Sequence, residues 1–251
     1  MGVLQTQTPA IDKTVKIFEF LSTNNGATFS QIYQGVGLPK SSTSSLLASL
    51  VAHGLLRQEK NHYYLGLRLY EFGSKAEESF DIKKLASEPL TQLRDTTQLT
   101  CHLGVQDGGS AIYLLKLESP GAIVVRSWVG KKLSLYSSGL GKALLAWLPE
   151  SAIDLYLPDE NFETFTPTTI KTKTELKNEL ALIRQRGWAY DNAEDSEGVY
   201  CISAPIFDKN GNVIAAISAS GVAFQMTPEL IPQNAQRIVD TAKTISDKVN
   251  R

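Results

Sequence analysis

The stretch Thr28–Gly54, TFSQIYQGVGLPKSSTSSLLASLVAHG, decides the fold of the first part of the chain. It opens with a hydroxyl residue, Thr28, and a glutamine three residues later, which is the capping-box pattern of a helix start. Gly35 and Gly37 end this short helix, and Pro39 lies where a second helix can begin and run to the end of the stretch. Two short helices joined by a tight glycine turn predict a helix-turn-helix.

The second of these helices has one apolar side and one small, polar side when its residues are placed at about 100° per residue. The apolar side carries Leu46, Leu47 and Leu50. The opposite side carries Ser41, Ser44, Ser45 and Ala48. Small side chains allow close approach to a partner, and their hydroxyl groups can hydrogen-bond to base edges or to phosphates.

The flanking sequence predicts a winged helix. Upstream, Thr8 and Pro9 supply a helix start, and apolar residues follow at helical spacing. These are Ile11, Val15, Phe18 and Leu21. Downstream, LLRQEKNHYYLGLRL places two apolar or aromatic runs around polar residues. This pattern predicts a two-stranded hairpin whose tip carries Lys60, Asn61 and His62.

Charge along the chain indicates where nucleic acid would bind. The 251 residues hold 25 Lys and Arg against 26 Asp and Glu, so no global positive field attracts DNA. Between Ser30 and Tyr70, however, the sequence has four Lys and Arg residues and a single acid, Glu59. A helix-turn-helix can also be a packing unit without nucleic acid, but the local positive charge and the wing favour DNA. The predicted DNA contacts are Lys40, Ser41, Ser42, Ser44, Ser45, Arg57, Lys60 and His62.

The remainder of the chain predicts an α+β domain. The segments at 99–106, 110–117 and 121–128 read as strands separated by turn residues, and WAYD, VYCISAPIF and VIAAISAS add further strands. Helices are predicted at 81–96, 140–148, 174–186 and 228–249, so an antiparallel sheet with helices packed on it is expected. We therefore predict a DNA-binding domain at 8–66, a linker helix at 67–80 with Leu69 and Phe72 on one side, and a larger domain at 81–251.

Composition argues against several classes of protein. The longest apolar runs, such as Ala143–Leu148, are far shorter than the roughly 20 residues of a membrane span, and the first residues lack a signal-peptide pattern. Cys101 and Cys201 are the only cysteines, which favours a reducing cytoplasm over a disulfide scaffold. No CxxC or HxxxH occurs, so neither a metal nor another cofactor is expected. Cys101 and His102 are neighbours on a predicted strand and therefore point to opposite faces. Cys101 is predicted to be a core thiol and His102 a half-buried residue.

Five segments stand out in the following order: KSSTSSLLASL, YYLGLRLYEFG, LSLYSSGLGKALLA, RQRGWAYDNAEDSEGVYCISAPIFD and AAISASG. Together they resemble the IclR family of bacterial transcriptional regulators, from Ala10 onward. The resemblance implies a winged helix-turn-helix, a helical linker and a GAF-like effector-binding domain for a small, usually acidic metabolite. It also implies a homodimer or homotetramer. The family commonly has a larger side chain and an arginine where this sequence has Ser44 and Ser45, so a different operator is expected.

The segment Ser138–Lys142, SGLGK, opens a helix whose start exposes unpaired N–H groups that suit a carboxylate. It is not a phosphate-binding P-loop, because that motif requires Gly in place of Tyr136 and Ser or Thr in place of Ala143. The alternative is a glycine pair that only allows close packing.

The resemblance also assigns the effector contacts. It implies Gly139 and Leu140 as backbone donors and Leu133 as an apolar wall. The polar contacts that it implies are Asp191, Cys201, Ser218 and Ser220. Ser218 and Ser220 share one face of a strand, and plain core hydroxyls are the alternative interpretation.

These observations favour a DNA-binding transcriptional regulator controlled by a small carboxylate, with a keto or sugar acid as the leading class. An aromatic acid is the alternative, with Trp128, Tyr136 and Tyr190 lining a flatter cavity. The competing function is a cytoplasmic hydrolase that uses Cys201 and carries an accessory winged helix. The expected partners are double-stranded operator DNA, the effector and a second copy of the chain, but no membrane. The position of the operator relative to the promoter decides between a repressor and an activator.

Overall fold

A computed structural model describes residues 6–78, 80–121 and 125–251, and the chain forms two compact units, residues 1–80 and 81–251. The first unit contains four helices and three short strands within the described residues. In chain order they are α1 (Pro9–Thr23), β1 (Ala27–Thr28), α2 (Phe29–Gly35), α3 (Lys40–Ala52), β2 (Leu56–Glu59), β3 (His62–Leu65) and α4 (Leu67–Glu77). The strands form an antiparallel sheet in the order β1–β3–β2, so the wing is the predicted hairpin with one additional strand.

Local chemistry explains the helix-turn-helix. The hydroxyl oxygen of Thr28 accepts the Gln31 N–H at 3.4 Å, and the Gln31 side chain accepts the Thr28 N–H at 2.8 Å, so the predicted capping box is confirmed. Leu47 and Leu50 of α3 are buried, while Ser41, Ser44 and Ser45 remain exposed. The small polar side of α3 therefore faces away from the core of this unit.

The helix predicted from four apolar residues at helical spacing is α1. Of these four residues, Leu21 is buried and Phe18 packs against the same core cluster, together with Ile17. Ile11 and Val15 are exposed. Thr8 precedes α1 without a capping hydrogen bond from its side chain.

The second unit is built on six antiparallel strands. They are β4 (Thr100–Asp107), β5 (Ser110–Leu117), β6 (Lys132–Ser134), β7 (Ala189–Asn192), β8 (Val199–Phe207) and β9 (Val213–Val222). Their order across the sheet is β6–β5–β4–β9–β8–β7. The helices of this unit are α5 (Ile82–Thr97), α6 (Gly139–Leu145), α7 (Glu150–Tyr156), α8 (Lys173–Arg186) and α9 (Leu230–Val249).

The two faces of this sheet bury different sets of side chains. On one face, Cys101 of β4, Ile202 of β8 and Ala219 of β9 pack with apolar residues of α5 and α9. On the other face, α6 and α8 cover the sheet and form a second apolar cluster. Because successive strand residues point to opposite faces, His102 lies on the side opposite Cys101. Cys101 is a core thiol, as predicted, but the prediction of a half-buried His102 is wrong, since this residue is fully buried.

Several predicted boundaries are corrected by the structure. Residues 122–124 of the strand predicted at 121–128 lie outside the described residues, and residues 125–128 are not in a strand. Instead, the three residues of β6 pair with β5. The linker helix predicted to residue 80 ends at Glu77, and the helix predicted at 140–148 ends at Leu145. The prediction missed α7, which has only one buried residue, Ile153, and therefore little apolar periodicity. Asp81 precedes α5 but its side chain does not cap it.

Candidate effector and DNA-contact sites

A cavity in the second unit is lined by residues of β8 and β9, by the start of α6 and by residues of the segment 125–131. The structure brings all seven predicted effector residues together in its lining. They are Leu133, Gly139, Leu140, Asp191, Cys201, Ser218 and Ser220. Sequence reasoning missed further lining residues, of which Tyr113, Arg126, Ser127, Lys131, Ser138, Asp195 and Ser196 carry polar groups.

Strand register explains why the polar residues meet. Asp191 pairs with Cys201 across β7 and β8, and Cys201 pairs with Ser220 across β8 and β9. The three side chains therefore form one row on the same face of the sheet. Within this row the Cys201 Sγ lies 3.0 Å from the Ser220 Oγ.

A second row links the sheet to the segment that covers the cavity. Ser218 pairs with His102, and its Oγ lies 3.4 Å from the His102 Nδ1. The Nε2 of the same ring lies 2.8 Å from the Ser127 Oγ, and the ring stacks on Tyr113 at 4.2 Å between centroids. Burial, together with the positive charges of Lys116 and Lys131, lowers the pKa of His102 to about 3. The ring is therefore neutral at physiological pH, with one nitrogen donating and the other accepting.

Asp191 occupies an unusual environment for a carboxyl group. It is 2% exposed, and burial raises its pKa from 3.8 to about 7. The Glu194 N–H donates a hydrogen bond to its Oδ1 at 2.7 Å, which opposes the effect of burial. Asp191 can therefore change its protonation state near neutral pH.

An internal ion pair fixes the loop that follows Asp191. The fully buried Lys142 of α6 donates to both Glu194 carboxylate oxygens at 2.6 and 2.8 Å, and to the Tyr190 carbonyl at 2.6 Å. The hydroxyl group of Thr169 donates to the Glu194 carbonyl at 2.6 Å. A buried charge pair is stable only with such complete hydrogen bonding. The sequence showed the acids of this loop but not their partner, because Lys142 lies 52 residues away.

The start of α6 has two distinct properties. Ser138 caps it by accepting the Gly141 N–H at 3.0 Å, and the first backbone bond of the helix runs from Lys142 to Ser138. The N–H groups of Gly139 and Leu140 precede that bond, and both residues line the cavity. A Cβ on Gly141 would lie 2.5 Å from the Ser134 carbonyl oxygen, so close packing explains this glycine.

Gly139 is also tightly packed. A Cβ at this position would lie 2.9 Å from the Ser203 Oγ and 3.3 Å from the Asp191 Cβ. Ser203 is fully buried, and its hydroxyl group has no hydrogen-bond partner among the described residues. The packing interpretation therefore accounts for both glycines, and the backbone donors are an additional property of the same turn.

The chemistry of Cys201 does not support the hydrolase alternative. Burial raises the pKa of its thiol well above the ordinary value of 9.0, and Asp191 raises it further. The thiol is therefore protonated at neutral pH, whereas a cysteine nucleophile acts as a thiolate. The contacts of His102 are Ser127 and Ser218, so this ring does not activate Cys201. Within residues 6–78, 80–121 and 125–251 there is also no cluster of three His, Cys, Asp or Glu side chains suited to a metal ion.

The aromatic residues named for a flatter cavity lie elsewhere. Tyr136 stacks on Phe162 at 4.3 Å, Tyr190 lies beside Tyr200, and Trp128 is exposed. None of the three is among the cavity-lining residues, where Tyr113 supplies the aromatic surface.

The predicted DNA contacts lie in the first unit. Lys40 is the first residue of α3, and Lys60 and His62 are exposed at the hairpin of the wing. Ser42 is half-buried, and its hydroxyl group donates to the Pro39 carbonyl at 3.1 Å. Arg57 forms an ion pair with Glu59 and lies 4.3 Å above the Tyr64 ring, so its charge is partly neutralised. Among the described helices none is long and apolar enough to cross a membrane.

A helix-turn-helix with a wing, followed by an α+β unit with a cavity lined by polar groups, defines a DNA-binding transcriptional regulator with an effector domain. The helix-turn-helix domain model of the IclR family matches residues 10–60, and the model described as the C-terminal part of the bacterial transcriptional regulator IclR matches residues 74–247. The chain therefore belongs to the IclR family of transcriptional regulators.

Individual relatives agree with this assignment. The chain is 40% identical over 242 residues to the uncharacterized HTH-type transcriptional regulator RhmR of Escherichia coli K12, covering 96% of this chain and 93% of that protein. The crystal structure of Thermotoga maritima IclR matches with a TM-score of 0.77 and 33% identity, covering 97% of this chain and 99% of that one. An IclR homologue from Microbacterium hydrocarbonoxydans, complexed with 4-hydroxybenzoate, has the same fold with a TM-score of 0.81 and 21% identity over 96% of this chain and 98% of that one.

Proposed function

We propose that this regulator binds a small carboxylate metabolite, a keto acid or a sugar acid, and that this ligand controls its affinity for operator DNA. The observation that supports the proposal is the convergence of seven predicted residues in one cavity. Pockets that combine an apolar wall with a few well-placed polar groups are the usual sites of small ligands.

The cavity offers complementary partners for such a ligand. The N–H groups of Gly139 and Leu140 suit a carboxylate, and the hydroxyl groups of Ser218 and Ser220 suit a neighbouring carbonyl or hydroxyl group. Asp191, when ionised, accepts a hydrogen bond from a ligand hydroxyl group. The Microbacterium homologue is complexed with 4-hydroxybenzoate, itself a small carboxylate with a hydroxyl group, which supports an acid as the ligand class. The lining of the present cavity favours an aliphatic acid over an aromatic one, because Tyr113 alone supplies an aromatic ring among its lining residues.

DNA binding would use both parts of the winged helix. The exposed serines of α3 enter the major groove and contact base edges, while Lys40, Lys60, Arg57 and His62 approach the phosphates. In the proposed cytoplasmic homodimer, two winged helices meet two half-sites at once. An effector that changes their separation changes the affinity for the operator, because each half-site alone binds weakly.

Calorimetry on the intact protein tests the ligand class. We expect a sugar acid or keto acid to bind the wild type and to bind Asp191→Ala more weakly, because the ligand hydroxyl group loses its acceptor. Asp159→Ala is the control, since Asp159 is an exposed carboxylate outside the cavity lining. The same acid should change the mobility shift of a DNA fragment taken from around the regulator's own gene. Binding of aromatic acids alone, or acid binding that is unchanged in Asp191→Ala and Ser220→Ala combined, would contradict the proposal.

A further inference from the structure

Two cations line the cavity together with two carboxyl groups. The cations are Arg126 and Lys131, and the carboxyl groups are those of Asp191 and Asp195. In the described part of the chain, no Asp or Glu lies within ion-pair distance of either cation. Asp195 accepts a hydrogen bond from the Ser137 hydroxyl group at 3.1 Å, which holds it independently of the cations. The positive charges at the cavity are therefore available to a ligand.

Hydrogen bonds from β5 fix the backbone on both sides of Arg126. The ammonium group of Lys116 donates to the Val125 carbonyl at 3.3 Å and to the Ser127 carbonyl at 2.9 Å. The side chain of Ser127 in turn contacts the buried His102 ring at 2.8 Å. The residues next to Arg126 are thus held by β4 and β5, so Arg126 lines the cavity from an anchored backbone.

Lys131 is anchored in the same way. Its carbonyl oxygen accepts the Tyr113 N–H at 3.2 Å, and the Gly130 N–H donates to the Tyr113 carbonyl at 2.8 Å. Its ammonium group lies 5.6 Å from the centre of the Trp128 ring. Both cations therefore belong to one segment, residues 125–131, that β5 holds in place.

Electrostatics gives these cations a role that the backbone donors of α6 do not fill. An acid entering a cavity that already holds carboxyl groups is repelled, and like charges brought close together are strongly unfavourable at low dielectric. Backbone N–H groups orient a carboxylate but carry no net charge. A guanidinium group compensates the charge and adds directed, charge-assisted hydrogen bonds.

We infer that Arg126, assisted by Lys131, is the residue that makes this cavity select an acid over the corresponding neutral alcohol. The inference rests on the proposed function and adds the specificity determinant of the same site. It assigns to residues 125–131 the compensation of the charge on the effector carboxylate, which the N–H groups of Gly139 and Leu140 orient, while Asp191 accepts from a ligand hydroxyl group.

Matched pairs of probes separate charge from shape. Calorimetry compares D-gluconate with D-sorbitol, pyruvate with hydroxyacetone, and 4-hydroxybenzoate with 4-hydroxybenzyl alcohol, on the wild type and on Arg126→Gln. We expect each acid that binds the wild type to bind Arg126→Gln about tenfold or more weakly, because a charge-assisted hydrogen bond is lost. The neutral partners should be unaffected. Arg126→Lys, which keeps the charge, should retain most of the affinity.

The control variant is Lys132→Gln, because Lys132 is exposed, follows Lys131 directly and is not part of the cavity lining. It should bind every probe as the wild type does. Acid binding to the wild type should weaken as salt is added, and this dependence should be smaller in Arg126→Gln. An acid that binds wild type and Arg126→Gln equally overturns the inference but leaves the proposed function standing. If no acid of the panel binds the wild type, the proposed function fails and the inference fails with it.

Discussion

The carboxyl group of Asp191 couples stability to pH. Its pKa is about 7 in the folded protein against an ordinary value of 3.8, mainly because of burial, with Glu194 and Asp195 raising it and Lys142 lowering it. Between these two values the folded state keeps a proton that the unfolded state has lost. The contribution of this group to the free energy of unfolding is therefore fully present below the lower pKa, and it is lost as pH rises through the higher one.

Asp191→Asn removes this dependence. The Asn oxygen can still accept the Glu194 N–H, so we expect the variant to gain stability over the wild type as pH rises. The gain between about pH 5 and about pH 8 should be on the order of 2–3 kcal/mol, since one pKa unit corresponds to about 1.4 kcal/mol. Urea unfolding followed by tryptophan fluorescence measures it, because all three tryptophans, Trp128, Trp147 and Trp188, lie in the second unit. Stability curves that run parallel in pH would show that Asp191 has an ordinary pKa.

The packing of Gly139 against Ser203 gives a second prediction. Gly139→Ala places a methyl group 2.9 Å from the Ser203 hydroxyl oxygen, so we expect a loss of about 1–3 kcal/mol in the free energy of unfolding. Ser203→Ala removes that oxygen, which has no hydrogen-bond partner among the described residues. Combined with Gly139→Ala, it should restore part of the lost free energy of unfolding. Ser220→Ala is the control, because Ser220 is not among the nearest neighbours of that methyl group. Equal rescue by both alanines would contradict the packing argument.

Sequence reasoning could place some site residues and not others. The residues on strands and at the start of α6 came from the resemblance to the family, and strand alternation agreed with it in placing Ser218 and Ser220 on one face. Lys142 and Glu194 could not be paired, since the contact depends on how α6 packs on β7 and its loop. Arg126 and Lys131 lie in an irregular segment without periodicity, and their position depends on hydrogen bonds from Lys116 and Tyr113.

At the scale of elements, we expect the wing to contribute affinity for any DNA sequence and α3 to contribute sequence preference. Lys60→Ala should weaken binding to all DNA sequences alike and lower the slope of log affinity against log salt by about 1, because one phosphate contact releases about one counterion. Ser45→Ala should change sequence preference at nearly constant salt slope. Fluorescence anisotropy over a salt series measures both. Lys209→Ala, in an exposed turn of the second unit, is the control. An unchanged slope in Lys60→Ala would remove the wing from the DNA interface.

Elements with a start signal and a periodic core were predicted well, as α2, α3, β8 and the hairpin of the wing show. Short elements were not. β6 has three residues and is defined by pairing with β5, and β1 has two residues and is defined by pairing with β3. Such strands exist because a neighbour supplies their hydrogen bonds, and that information is not local in the sequence.

At the scale of the whole molecule, α4 predicts association. None of its residues is buried within the chain, and Leu67 and Tyr70 are 80% and 76% exposed, with Phe72 on the same helix also exposed. Exposed apolar surface of this extent is typical of an interface. We expect a dimer, or a tetramer built from it, in light scattering at about micromolar concentration, since symmetric pairing is the rule for such regulators.

Phe72→Glu tests this interface, because it places a charge in the apolar surface of α4. It should shift the protein towards the monomer and weaken operator binding, since both half-sites must be met together. Leu155→Glu is the control, as Leu155 is also an exposed apolar residue but lies on α7 of the second unit. A wild type that remains monomeric with and without DNA would contradict the prediction.

The alternation of side chains along β8 and β9 has a consequence for how this sensor can change over evolutionary time. Ile202 and Ala219 belong to the apolar interior, whereas their neighbours Cys201, Ser218 and Ser220 line the cavity. Every second position can therefore mutate to recognise a different metabolite while the hydrophobic interior remains intact. A library randomised at those three positions should yield folded regulators with new ligand preferences, which makes this sheet a practical scaffold for building biosensors.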